Sequence, residues 1–302
     1  MDSMEYLLAD SVIGSELIYD LTESEFNSIR KSRDILDSAF DLEEKYDILL
    51  TNFLELEKEV LNIAVDHMIK RSLSDSFYSE QLRLNVRVVN ILTSCRLYID
   101  QSKRDVANCL EVNTSTQKII KDIFAYEYDS NKHYRFVEAL RNYVQHYGLP
   151  VHSIKFSSAW TSSIDDDGLM RNSLKISSLK RIFAKDKKLK SIVRQEILEE
   201  TNLIESIRSY VESISEIHNK LRELITKQVK THKEALKAFE ELYIQNSKQK
   251  PISLVAVSRN KGKVTEKVYI NIAYDDIYTQ LQLANRKLTN LRKRYVTSEI
   301  LQ

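Results

Sequence analysis

Residues 22–69 read TESEFNSIRKSRDILDSAFDLEEKYDILLTNFLELEKEVLNIAVDHMI, and they predict one very long helix or two helices with a slight break. The segment opens on Thr22-Glu23-Ser24-Glu25, a capping box in which Thr22 caps the first turn and Glu25 reaches back to it. Leu, Ile, Phe and Val then recur at helical spacing as far as Ile69. We therefore expect long helices to dominate the chain.

The composition agrees with that expectation. The 302 residues include only 4 Gly and 2 Pro, so few positions break a helix or form a tight turn. An apolar fraction of 42% is enough for a sizeable core, and 29% charged residues fit helices that have one solvated face. The length suits one large domain or two ordinary ones. The sequence thus predicts a mainly α protein.

The charge balance and the two cysteines limit the class of protein. A net charge of +1 argues against a protein coated with nucleic acid but leaves room for a small basic groove. Cys95 and Cys109 form no C-x-x-C pair, so we expect two buried, reduced thiols and neither a disulfide framework nor a cysteine zinc site. The first 20 residues hold five acidic and no basic residues, unlike a secretory signal, and no stretch reaches the length of a membrane span. We expect a cytoplasmic protein with no membrane partner.

Three further helical patterns follow the first helix. They cover residues 77–101, residues 114–128 and the residues from 131 to the helix stop Gly148-Leu149-Pro150. Together the four helices predict an up-and-down bundle over residues 1–150.

Residues 151–302 have a different pattern. They predict two small β-hairpins, one across Asp165-Asp166-Asp167-Gly168 and one across Asn260-Lys261-Gly262. Residues 178–244 are predicted to be helical, and their near-heptad apolar spacing predicts a long helix that packs as a coiled coil. A final basic helix is expected to run through Tyr295. We assign this second part of the chain to dimerisation or partner binding.

The helix that precedes Gly148 has two contrasting sides. At about 100° per residue, its apolar residues fall on one side, which we expect to face the core, and its polar residues fall on the other. The core side comprises His133, Phe136, Val137, Leu140, Tyr143, Val144 and Tyr147. The polar side comprises Tyr134, Arg135, Glu138, Arg141, Asn142, Gln145 and His146.

The polar side resembles the signature of the HEPN superfamily, in which an Arg, often followed by a small polar residue, precedes a His on a helix of a small bundle. Arg141 matches the Arg, Asn142 the polar residue and His146 the His. The resemblance covers this helix and, loosely, residues 1–150. It implies an all-helical bundle that forms a homodimer, with two copies of the motif meeting at one composite site.

The resemblance also implies a function. Many members of the superfamily cut RNA without a metal, and several belong to bacterial toxin–antitoxin or phage-defence systems, whereas others are inactive or serve as sensing modules. We therefore expect RNA as the substrate, no cofactor and no metal. A cognate antitoxin or defence protein is the further partner that the resemblance suggests.

The residue types fit the chemistry of RNA cleavage. Attack of the ribose 2′-hydroxyl on the adjacent phosphate, which leaves a 2′,3′-cyclic phosphate, needs a proton acceptor near neutral pH, and histidine has a reference pKa of about 6.5. A guanidinium fork suits the crowded phosphate, and an amide can orient the phosphate or the imidazole. We predict that the catalytic residues are Arg141, Asn142 and His146, and that the RNA-binding or supporting residues are Gln145, Glu138, Arg135 and Tyr134.

Other interpretations of the polar side stay open. Glu138 and Arg141 are three residues apart, which also suits an ordinary surface ion pair. A non-enzymatic module would bind RNA, a nucleotide or a protein on this side without chemistry. A coiled-coil scaffold would not use it at all.

The remaining polar motifs have structural interpretations. We expect His67 to be a core or edge residue, and His218 and His232 to be polar residues of the helical seam. Residues 165–167 suggest a solvated turn or a weak cation site, and the run at 185–190 suggests either phosphate contacts or a solvated helix start. No metal-binding or phosphate-loop motif occurs in the sequence.

Overall fold

A computed structural model describes residues 4–11, 18–70, 74–110, 114–161, 168–270 and 272–297. The helices are α1 (Glu23–Ile69), α2 (Ser74–Cys109), α3 (Thr114–Ser130), α4 (Lys132–His146), α5 (Lys180–Phe183), α6 (Ser191–Glu196), α7 (Leu203–Ser247) and α8 (Ile272–Ala284). The strands are β1 (Met4–Asp10), β2 (Ile18–Leu21), β3 (Ser153–Trp160), β4 (Met170–Leu179), β5 (Glu200–Asn202), β6 (Leu254–Asn260) and β7 (Lys263–Ile270). The prediction of a mainly α protein is confirmed.

The capping box starts α1 as the sequence predicts. The backbone N–H of Thr22 donates to Oε2 of Glu25 at 2.7 Å, and the N–H of Glu25 donates to Oγ1 of Thr22 at 3.2 Å. The Thr22 N–H and the Thr22 hydroxyl, which donates to the same Oε2 at 2.8 Å, hold the pKa of the Glu25 carboxyl below its ordinary value. The helix then continues without a break to Ile69. The up-and-down arrangement of the first four helices stays a prediction.

Within the described residues the chain packs as two compact units, and each combines segments from both sides of residue 150. The first comprises Met1–Lys45, Asp100–Ile120 and Lys220–Arg286, and it contains the antiparallel sheet β2-β1-β6-β7. The second comprises Tyr46–Ile99, Lys121–Asn219 and Lys287–Gln302, and it contains the antiparallel sheet β3-β4-β5 together with α4.

Both predicted hairpins are present, and each belongs to a larger sheet than the sequence predicted. Strands β6 and β7 are joined at Lys261 and Gly262, whose φ angles of 50° and 76° match a two-residue hairpin turn that needs positive φ at both positions. Strands β3 and β4 pair from Ser153 opposite Ser177 to Trp160 opposite Met170. Residues 165–167 of the predicted turn lie outside the described residues.

Two helix predictions are wrong. Residues 178–202 are not part of one helix, because β4 continues to Leu179 and β5 pairs with it before α7 begins at Leu203. The last helix ends at Ala284 rather than near Tyr295. Beyond Ala284 the chain is bound to side chains of α7. The backbone N–H of Leu288 donates to the hydroxyl of Ser215, and the backbone N–H of Asn290 donates to the carboxylate of Glu212.

None of the helices in the described parts of the chain has the combination of length and hydropathy that crossing a bilayer demands. Cys95 and Cys109 are buried free thiols, as predicted. Burial raises the pKa of Cys109 to about 12, which keeps this thiol protonated.

Candidate functional site

Helix α4 is fixed at its start by an asparagine that serves both the helix and its neighbour. The side-chain oxygen of Asn131 accepts the backbone N–H groups of His133 and Tyr134 at 2.9 Å and 3.4 Å, which caps the helix. Its amide nitrogen donates to the hydroxyls of Ser209 and Ser213 on α7 at 3.1 Å and 2.9 Å. The orientation of α4 is thereby tied to α7.

The end of α4 lies where the sequence predicts, although the reason differs. The helix ends at His146, and the N–H groups of Tyr147 and Gly148 both point to the carbonyl of Tyr143. Gly148 is not left-handed, since Gly262 is the glycine that has positive φ among the described residues. Instead, a Cβ at Gly148 would lie 3.0 Å from the Tyr143 hydroxyl, so a larger residue would need that ring to shift by a few tenths of an ångström.

The core side of α4 is largely as predicted, with one error. Phe136, Val137, Leu140 and Tyr143 are buried. Tyr147 is 47% exposed, because the helix has ended and its ring lies over Tyr143 at a centroid distance of 6.0 Å. The predicted core position of Tyr147 is therefore wrong.

Arg135, predicted on the exposed polar side, is a buried structural residue. Its guanidinium makes a two-point contact with Glu196 of α6, Nε to Oε2 at 2.9 Å and Nη2 to Oε1 at 2.6 Å. Its Nη1 donates to the carbonyls of Tyr128 and Asp129 in the last turn of α3, at 2.7 Å and 2.6 Å. Arg135 thus caps α3 and joins it to α6, and these contacts use four of its five N–H donors.

Tyr134 and Glu138 are likewise engaged inside the fold. Tyr134 is buried, and its ring packs edge-on against Tyr210 of α7 with centroids 4.7 Å apart. Glu138 accepts the Tyr210 hydroxyl and forms an ion pair with Arg96 at 3.5 Å. Burial raises the pKa of Tyr134 and Tyr210, so both phenols stay neutral. The predicted exposure of Tyr134 is wrong.

Asn142 and His146 remain available, and together they line a cleft of about 320 Å³ that we call the α4 cleft. Both residues are exposed. The cleft is also lined by Asp186, Lys188, Leu189 and Lys190. The remaining lining residues are Tyr128, Arg135, Glu138, Ala139, Tyr147 and Val193.

Arg141 is not among the residues that line this cleft. It is half-buried, and its Nη1 donates to Oδ1 of Asn142 at 3.0 Å. Because that oxygen accepts from Arg141, the amide nitrogen of Asn142 is left as a donor on the cleft wall. Gln145 is exposed one turn of helix from Arg141. The structure therefore brings Asn142 and His146 onto one wall and links Arg141 to them through Asn142.

The basic turn that lines the α4 cleft is held in place by Asp186. This residue is only 3% exposed, and its carboxylate accepts the N–H of Lys188 at 2.8 Å. Its interaction with the Tyr147 hydroxyl raises the pKa of that phenol. Lys190 donates to the Tyr128 hydroxyl at 2.9 Å, with its ammonium 4.7 Å from the centre of the ring. Sequence reasoning named this basic run but missed Tyr128, Asp186 and Tyr147 as parts of the site.

The other histidines have structural surroundings. His67 stacks on Phe156 of β3 with centroids 3.9 Å apart, and His218 is buried with Nδ1 2.9 Å from the Tyr98 hydroxyl. His232 is half-buried with Nδ1 3.0 Å from the hydroxyl of Ser32. No group of three metal-ligating side chains occurs among the residues that the structure describes.

Comparisons of the chain with family models, with curated proteins and with solved structures give no significant match. The resemblance to the HEPN superfamily accordingly depends on the residues of α4 alone.

Proposed function

We propose that this chain is a metal-independent endoribonuclease of the HEPN type, which cleaves RNA by attack of the 2′-hydroxyl on the adjacent phosphate. The observation that carries the proposal is the α4 cleft, which an exposed His146 and an exposed Asn142 line together with Lys188 and Lys190. A general base must be reachable by the substrate, and the phosphate needs positive charge beside it.

Each residue of the motif has one role in this scheme. His146 takes the proton of the 2′-hydroxyl while the 2′-oxygen forms a bond to phosphorus. The bond from phosphorus to the 5′-oxygen breaks, and that oxygen takes a proton from a second histidine, which is in its imidazolium form and becomes a neutral imidazole. Arg141 balances the charge on the phosphate, and the amide of Asn142 donates a hydrogen bond to a phosphate oxygen. The products are a 2′,3′-cyclic phosphate and a 5′-hydroxyl.

The second imidazole makes a homodimer part of the proposal. One chain brings one histidine, His146, to the cleft among the lining residues, so the acid and the base would come from two copies. The HEPN resemblance also suggests a setting in a bacterial toxin or phage-defence system, with a cognate antitoxin or defence protein as a partner. In this setting the enzyme would act in the cytoplasm.

A non-enzymatic module that binds RNA, a nucleotide or a protein is the second candidate. The absence of Arg141 from the residues that line the cleft favours it, because catalysis needs the guanidinium on the phosphate itself. The use of Arg135 and Glu138 within the fold also removes two residues that would have supported catalysis.

The test is cleavage of a fluorescent single-stranded RNA by the purified protein in the presence of EDTA. The parent should release fragments with cyclic phosphate ends, detected by mass spectrometry, and His146→Ala should be slower by about 10²–10⁴-fold, the usual contribution of a general acid or base. Gln117→Ala, which removes an exposed side chain of α3, is the matched control and should cut as fast as the parent. Intact RNA at every pH, or equal rates for His146→Ala and the parent, would leave the binding module as the better description.

A further inference from the structure

Residues 170–194, which we call the basic segment, hold a strong local excess of positive charge. It contains nine Lys or Arg residues and one acid, Asp186, a net charge of +8, whereas the full chain has +1 and the remaining residues therefore carry −7. The segment runs from β4 through α5 to α6 and lies entirely within the unit that contains α4. So strong a local excess in a nearly neutral protein indicates a surface for a polyanion.

Some of these charges are neutralised by the fold. Lys175 lies opposite Lys155 in the sheet, and both contact Glu200. These contacts and the hydrogen bond from Ser177 hold the pKa of the Glu200 carboxyl at about 2. Lys180 lies 3.5 Å from Glu199.

The rest of the basic segment has no such compensation. Five of its side chains are exposed and form no ion pair with any carboxylate in the described parts of the chain; they are Arg171, Arg181, Lys185, Lys187 and Lys188. Charges that no internal acid balances are available to an external anion.

The one acid of the segment organises it rather than neutralising its surface. Asp186 is buried; its carboxylate accepts the backbone N–H of Lys188 and interacts with the hydroxyl of Tyr147. Its carbonyl oxygen accepts the guanidinium of Arg194 at 3.0 Å. These contacts stabilise the turn at 184–190 beside the end of α4, and Lys188 and Lys190 line the same cleft as His146.

We propose that the basic segment binds the phosphates of single-stranded RNA and leads the strand over the α4 cleft, an inference that rests on the proposed ribonuclease function. Single-strand binding surfaces combine a positive groove with aromatic rings on which bases stack. Here the half-exposed Tyr147 and the ring of Tyr128 lie in the same cleft as Lys188 and Lys190. Bases that are already unpaired can reach such rings, whereas those of a duplex cannot.

The experiment measures binding of a fluorescein-labelled 2′-O-methyl RNA by anisotropy at several salt concentrations. This probe has no free 2′-hydroxyl, so binding is measured without cleavage. The triple variant Lys185→Gln/Lys187→Gln/Lys188→Gln should bind more weakly, and the slope of log affinity against log salt should fall by about 2, since each phosphate contact of a single strand contributes about 0.7. The matched control, Lys227→Gln/Lys230→Gln/Lys237→Gln, removes the same charge from exposed positions of α7 and should bind as the parent does.

The outcomes separate this inference from the proposed function. Equal affinity and equal salt slope for the triple variant and the parent would overturn the inference, whether or not the parent cuts RNA. Tighter binding to a duplex of the same sequence, or to phosphatidylserine vesicles, would overturn it as well. Tight binding of the probe by a parent that leaves ordinary RNA intact would uphold the surface and refute only the ribonuclease. Circular dichroism of the triple variant confirms that its helices are retained.

Discussion

Replacement of Arg135 by Met should destabilise the fold, because this arginine joins α3, α4 and α6. Met keeps the apolar stem and removes every donor. Arg135 is 8% exposed, and the variant would lose two hydrogen bonds to Glu196 and two to the carbonyls of Tyr128 and Asp129. The carboxylate and the two carbonyls would be left without these partners.

The expected size of the effect follows from those contacts. Hydrogen bonds to charged groups contribute about 1.5–3 kcal/mol each, but four bonds from one group are not additive. Removal of one partner of a buried ion pair costs about 3–5 kcal/mol. The side chain of Glu196 is 28% exposed and regains some hydration, so we expect the lower end, about 3 kcal/mol.

The assay is urea unfolding followed by circular dichroism. Glu196→Gln retains hydrogen-bonding groups and loses the charge, so its loss of stability should be smaller than that of Arg135→Met. Arg181→Met removes an exposed arginine and is the matched control, with a change within about 0.5 kcal/mol. Equal unfolding midpoints for Arg135→Met and the parent would refute the structural role of Arg135.

The same ion pair predicts how stability depends on pH. The hydrogen bond from Arg135 holds the folded-state pKa of Glu196 below its ordinary value of 4.5. The folded protein therefore keeps this carboxylate charged at a pH where the unfolded chain has taken up a proton. The contribution of this ion pair to stability is complete above pH 4.5, and it is lost as the pH falls through the lower pKa of Glu196 in the folded state. The stability difference between the parent and Arg135→Met should narrow in acid, and a difference that stays constant would contradict this account.

Two further predictions concern stability away from the cleft. Tyr98→Phe removes the hydroxyl that contacts Nδ1 of the buried His218, and it should cost about 1–3 kcal/mol in urea unfolding, the penalty for a buried polar group left without its partner. Thr22→Ala removes the cap of α1 and should cost about 1 kcal/mol, whereas the exposed neighbour Ser24→Ala should cost nothing measurable; equal losses for the two would argue against the cap.

Periodicity predicted the long helices and failed where short strands interrupt them. The spacing of Ile197, Ile204 and Ile207 continues one helical pattern, yet the helix begins only at Leu203. Residues 200–202 pair with β4. This pairing joins two separate segments, so the spacing of residues within one segment cannot predict it. For the same reason β1 was missed: its partner strand β6 lies about 250 residues away in the chain, and β-structure depends on such partners.

The candidate site shows the same limit. The helical projection placed Asn142 and His146 on an exposed side correctly, because their exposure depends on their own helix. It could not place Arg135 or Tyr134, whose burial depends on Glu196 and Tyr210, residues more than 60 positions away. The sequence held one signal for Asp186: it is a single acid within a run of lysines, where a carboxylate can bind and position the basic residues around it.

The direction of the hydrogen bonds around the α4 cleft determines what it can accept. Glu138 and Asp186 line it, but Glu138 accepts the Tyr210 hydroxyl and pairs with Arg96, and Asp186 accepts the backbone N–H of Lys188 and interacts with the Tyr147 hydroxyl. These contacts use part of the acceptor capacity of the two carboxylates. Arg141 donates to the carbonyl oxygen of Asn142, whose amide nitrogen keeps its own N–H donors. With the two carboxylates engaged in this way and Lys188 and Lys190 in the lining, we expect the cleft to favour an anion, and a phosphate bound there would lie beside His146.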